Sequence, residues 1–175
     1  MNTAYLHLLL NHLPVIGAIF GLVLLLWAML QKSKELQSAG LGVFVLAALA
    51  AVPVYLSGEP AEKMVEYLPG VAESFIESHE KAALMALIAV VVTGVVSLAG
   101  LILHRRVEKY PGYVAPVVLA LAAITSGLMG WTANLGGQIR HTEIRTGSAT
   151  LTSPEGNNPE NQKEGQPKRK KDHDD

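Results

Sequence analysis

The sequence has no cysteine. That excludes disulfides, cysteine-ligated zinc, iron–sulfur clusters and covalent C-x-x-C-H haem attachment. A basic excess is missing too. Its 14 Lys and Arg face 15 Asp and Glu, a formal net charge of −1, which excludes an electrostatic nucleic-acid binder. Charge of either sign is absent from four long segments, 5–30, 39–57, 82–103 and 114–135. Uncharged apolar stretches of about 20 residues match the hydrocarbon core of a bilayer and exceed the usual helices of a soluble bundle. A soluble single-domain enzyme is thereby excluded. The N-terminal MNTAYLHLLLNHLPVIG has neither a basic n-region nor a small-residue cleavage site, so the first apolar segment is expected to remain as a span.

What is present reads as an all-α integral membrane four-helix bundle. Residues 5–30 form the first span, with Pro14 inside it, and 39–57 the second, with Pro53 near its end. The link 58–81 is the only long one. Gly58-Glu59-Pro60 is a helix start, and a short amphipathic helix is expected to bury Met64, Val65 and Leu68 before Leu68-Pro69-Gly70 ends it. From Val71 a helix is expected to run unbroken into the third span, 82–103. The fourth span is 114–135. Residues 146–175 are Ser, Gly, Asn, Pro, Gln and charge, which cannot build a core and predict a disordered polar tail.

Charge sets the expected topology. The short links carry Lys32 and Lys34 in one, and Arg105, Arg106 and Lys109 in the other, which assigns both to the cytoplasm. The long link carries six Glu and two Lys and is expected on the outer, periplasmic side. Four spans then put both termini outside, in a multi-pass membrane protein.

Four of the six histidines, His7, His12, His79 and His141, then fall near the outer face. At about 1.5 Å of rise per residue they share a slab roughly 15 Å thick. Any one of them alone is explained as an interfacial residue. His12 is the hardest to explain so, because it lies beside Asn11 inside the apolar run, where polar groups are costly. On the fourth helix Ala120, Gly127, Asn134 and His141 repeat every seven residues, with Ala123, Gly130 and Gly137 one turn on. Small residues on one face admit a helix or a flat ligand. On the third, Ala83, Ala86 and Val90 lie below His79 and are expected to leave room. Haem b suits this set, because it needs one or two histidines from facing helices and no cysteine. A first reading therefore assigns His7, His12, His79, His141 and Asn134 to one or two haems b, with His12, His79 and His141 as candidate metal ligands. His7 and His12 point about 140° apart on one helix and cannot share a gap, so His12 with His79 is the preferred axial pair. If His141 also ligates, His7 pairs with it and two haems result.

Two stretches resemble a known family. His7-Leu8-Leu9-Leu10-Asn11-His12-Leu13-Pro14 resembles the opening His-Pro-x-x-x-His-Phe-Pro of a family of small prokaryotic four-span membrane proteins. Leu135-Gly136-Gly137-Gln138-Ile139-Arg140-His141 resembles its closing Leu-Gly-Gly-x-x-x-x-His, with one residue fewer. Leu8 stands where the family has proline. Ser78-His79-Glu80 falls where the family has a further histidine. That family is a domain of unknown function, some members of which are joined to Rieske-type iron–sulfur domains. The resemblance implies a membrane protein with redox chemistry and a haem-binding role.

The expected function is electron transfer near the outer face, in a bilayer and within a respiratory complex. The acidic long link reads either as a plain solvated loop or as a dock for a basic periplasmic electron carrier. The residues leave two other readings open: a membrane subunit or assembly factor without a cofactor, or a metal or quinol site formed by the same histidines.

Overall fold

The computed structural model describes residues 3–106 and 111–145. The tail expected at 146–175 lies outside the described residues. Regular structure within them is entirely helical: α1 (Thr3–Leu10), α2 (His12–Leu30), α3 (Lys34–Leu56), α4 (Gly58–Glu62), α5 (Glu73–Arg106), α6 (Val114–Arg140) and a closing 3₁₀ turn (Thr142–Ile144). Four stretches are long and apolar enough to cross a membrane: Ala4–Leu30, Lys34–Leu56, Glu73–Arg106 and Val114–Arg140. At about 1.5 Å per residue, the 34 residues of α5 reach well beyond a hydrocarbon core about 30 Å thick. Its charges lie at its two ends, with Glu73, Glu77, Glu80 and Lys81 at one and Arg105 and Arg106 at the other.

Local chemistry explains the boundaries. Ser33 caps α3 by accepting from the Leu36 amide at 3.2 Å, so the second helix starts earlier than its charge-free segment. Pro14 has no amide to give the Leu10 carbonyl, and the first span is interrupted at Asn11. The Asn11 amide still donates to His7 O at 2.9 Å, which keeps α1 and α2 nearly collinear. One expectation fails in the long link. Helix α4 stops at Glu62 and the chain continues in turns, with Met64 and Leu68 exposed. Pro60 inside the first turn and Pro69-Gly70 nine residues on leave too short a run for a stable amphipathic helix.

The helices close a ring: α2 on α3, α3 on α5, α5 on α6, and α6 back on α2. Two core clusters fill it. Leu25, Leu41, Phe44, Val114, Ala115, Val118 and Ala122 pack in one half. Ala18, Ala47, Ala51, Ala86, Val90 and Met129 pack in the other, nearer the histidines. The Ala86–Val90 face below His79 is therefore filled by packing, contrary to the room expected there. Between α5 and α6 the buried hydroxyls of Thr93 and Thr125 bond each other at 2.8 Å. Large apolar residues cover the outside on every long helix, among them Ile16, Phe20, Leu46, Leu49, Ile88, Val95 and Ile124. Soluble monomers do not expose such a surface, and lipid is the solvent that suits it.

Glycine permits the closest approaches. A Cβ on Gly94 would stand 2.5 Å from the Ala48 Cβ and 3.2 Å from the Phe44 carbonyl oxygen. A Cβ on Gly127 would meet nothing within 4 Å. Gly94→Val is therefore expected to cost about 1–3 kcal/mol by overpacking, with Gly127→Ala within about 0.5 kcal/mol of the parent. Thermal unfolding in detergent, followed by circular dichroism, checks the contrast.

Candidate functional site

The end of the bundle that carries the start of α5 and the end of α6 gathers two of the four candidate histidines. Helix α3 ends at Leu56, where the Ser57 amide still donates to the carbonyls of Pro53 and Val54, at 3.0 and 3.2 Å. The Val54 carbonyl is met by the Ser57 hydroxyl at 2.8 Å and by His7 Nδ1 at 3.1 Å. His7 Nδ1 also lies 3.1 Å from Ser57 Oγ, and Ser57 is buried. A carbonyl only accepts, so His7 Nδ1 carries the proton and donates it.

His79 repeats this chemistry on the other side. Its Nδ1 donates to the Thr132 carbonyl of α6 at 3.0 Å. The ring reaches that carbonyl because residue 136 is glycine. A Cβ there would stand 3.0 Å from His79 Cε1 and 3.2 Å from Nδ1. The Leu-Gly-Gly element thus has a local meaning: Gly136 seats an imidazole against the α6 backbone. His7 and His79 are both half-buried and lie within electrostatic reach of each other. With Nδ1 protonated, the neutral ring of each leaves Nε2 as a lone pair. Among the described residues neither Nε2 has a hydrogen-bond partner.

The other candidates stand apart. His12 opens α2 on the exposed side of the helix, so it is not the buried histidine its depth suggested. His141 is exposed at the end of α6, with Nδ1 2.8 Å from Glu143 Oε1. Asn134 is exposed and accepts from Gln138 Nε2 at 2.7 Å. The stripe of Ala120, Ala123, Gly127, Gly130 and Asn134 faces outward rather than into the bundle. Among the described residues no three or more His, Asp or Glu side chains gather as a metal site, so His12, His79 and His141 do not converge on one point. Two hollows open elsewhere. The first is an apolar groove between α3 and α5, and the second lies at the opposite end beside Lys32 and Lys34.

The acidic link lies against this end. Burial, followed by the like charges of Glu80, Glu66 and Glu59, pushes the Glu62 carboxyl above the usual carboxylate range. Glu80 is the neighbour of His79, so α4 stands close to the turn that carries the ring. At the far side of the site, a backbone hydrogen bond at its own residue and the His141 ring hold the Glu143 carboxyl below that range.

Because Glu62 is raised in the folded state, folding favours its protonated form, and stability is lost as pH rises through the range just above 4.5. Glu62→Gln is expected to raise the melting temperature at neutral pH. In acid, where the carboxyl is protonated folded and unfolded, the two proteins are expected to melt together.

No protein-family model, curated protein or solved structure matches the chain.

Proposed function

We propose that the chain is a b-type haem-binding membrane protein that passes electrons, with His7 and His79 as the residues that would hold the haem. The supporting observation is the state of the two rings. Each spends Nδ1 on a main-chain carbonyl and keeps Nε2 free, which is how protein scaffolds fix the tautomer and raise the basicity of a metal-ligating imidazole. Two such donors from different helices are the kind of nitrogen ligands that would hold a haem iron. They are too few for a structural zinc, which takes four protein ligands. The donor chemistry thus fits the group, with the pair revised from His12–His79 to His7–His79. Bound haem b would supply one-electron chemistry. The chain's part is to hold and orient the two imidazoles, with the Val54 and Thr132 carbonyls drawing on their Nδ1 protons. Ser57 steadies the first ring and Gly136 gives the second its seat.

The proposal includes the orientation drawn from charge. Lys32, Lys34, Arg105 and Arg106 gather at the bundle end away from His7 and His79. Basic residues close to span ends favour the cytoplasm, which puts the histidine end outside. The resemblance to a four-span family with Rieske-linked members supports the same reading.

The visible spectrum of protein purified from haem-replete membranes tests it. A Soret band with sharp reduced α and β bands is expected. His7→Ala and His79→Ala should each lower haem per protein by about tenfold or more, as loss of a ligand exceeds the usual cost of losing a second-shell partner. His12→Ala should retain haem. A colourless protein overturns the proposal. For orientation, a reporter fused at Thr146 is expected to be active on the outer side alone, and cytoplasmic activity inverts the assignment.

A further inference from the structure

Between Ser57 and Ala72 the chain crosses the histidine end as a strap. Its first anchor is Ser57, bonded to His7. Along its length the main-chain hydrogen bonds from Ala61 to Val71 are local turns. Met64, Tyr67 and Leu68 are exposed, and α4 contributes no buried residue. The strap therefore has little apolar burial to hold it down. Its second anchor is Gly70, which has φ of 82° and turns its carbonyl toward the end of α6.

That carbonyl is taken by Arg145. Its Nη2 donates to Gly70 O at 2.9 Å and to Ile139 O at 3.0 Å, and its Nε donates to Gln138 O at 2.7 Å. The guanidinium lies 4.3 Å over the Phe75 ring of α5. One side chain thus joins the strap, the end of α6 and the start of α5. These are the segments that flank His79: Phe75 is one turn before it on α5, and Gln138 follows its Gly136 seat on α6. The carbonyls of Gln138 and Ile139 are among those that a helix end leaves without amides. A planar fork of N–H donors is needed to serve several acceptors at once, and lysine does not supply one.

We propose that Arg145 is a positioning residue for the histidine pair: it clamps the strap and the end of α6 together over α5, and so sets solvent access to the face that bears His79. This concerns the same two rings as the haem proposal, but does not depend on haem being bound.

The absence of cysteine makes the test direct. Ile76 is 6 % exposed and lies three residues before His79, on the same face of α5. Val114, 7 % exposed, is an equally buried reference at the far end of the bundle. Each is replaced singly by cysteine, and labelling by a water-soluble maleimide is followed in detergent with Arg145 intact or as Arg145→Ala. Ile76→Cys is expected to label roughly tenfold faster without the arginine, equivalent to about 1.4 kcal/mol in the opening equilibrium, and Val114→Cys at an unchanged rate. Arg145→Lys should label like Arg145→Ala. Unchanged labelling at Ile76→Cys overturns the proposal, as does an equal rise at both positions, which would mean general loosening. If Arg145→Ala does not accumulate, Phe75→Leu removes the ring and leaves the hydrogen bonds. A smaller rise confined to Ile76→Cys is then expected, and none overturns the proposal. The spectrum of the same samples reports haem separately, so a colourless protein with the labelling contrast refutes the haem reading alone.

Discussion

In lipid, a backbone carbonyl that loses its helical amide has no water to replace it. Side-chain donors on main-chain carbonyls shape the histidine end. Helix α3 stops at Leu56, where the Val54 carbonyl keeps the Ser57 amide at 3.2 Å and takes the Ser57 hydroxyl and His7 Nδ1 as further donors. Helix α6 stops at Arg140, and the carbonyls of Gln138 and Ile139 are met by Arg145. His79 adds a second claim on a carbonyl within α6, that of Thr132. Each of these bonds consumes a side-chain donor. For the two imidazoles the consumed donor is Nδ1, and the consequence is a free Nε2 on each ring. The site is thus made of two rings whose Nδ1 protons are taken by main-chain carbonyls, one near the end of α3 and one within α6.

Close approach is the second requirement, and it is met by taking side chains away. Gly21 lets the Phe44 ring lie against α2, Gly94 brings α3 onto α5, and Gly136 brings the His79 ring onto α6. The first two serve packing alone, which in lipid must come from van der Waals fit and not from expulsion of water. The third uses the same device to seat a polar ring. The outward-facing Gly127 and Gly130 do neither within one chain.

The spans were legible because absence of charge over about 20 residues is a signal that no soluble helix needs. The gathering of histidines at one end was legible too, since rise per residue fixes depth once the spans are known. Rotation about each helix axis was not. A helix with lipid on one side and an apolar core on the other has no polar face to mark which way it turns, so the pattern that orients a soluble helix is lost. His12 and His7 differ by about 140° on one helix, and depth alone does not say that His7 is half-buried and His12 exposed. The small residues of α6 misled for the same reason: they mark a face without saying whether it looks in or out. The roles of Ser57, Thr132 and Arg145 depend on partners far away in sequence. Only the Gly136-Gly137 pair and the Ser57-Gly58 start gave any sign that those positions were special.

The central claim is that His7 and His79 share one protonation pattern, with hydrogen on Nδ1 and a free lone pair on Nε2. Nitrogen-15 NMR of histidine-labelled protein, at a pH where the rings are neutral, tests it most directly, with His7→Ala and His79→Ala providing the assignments. Both residues are expected as the Nδ1–H tautomer. The Nε2–H tautomer, or a mixture of the two, at either ring would contradict it.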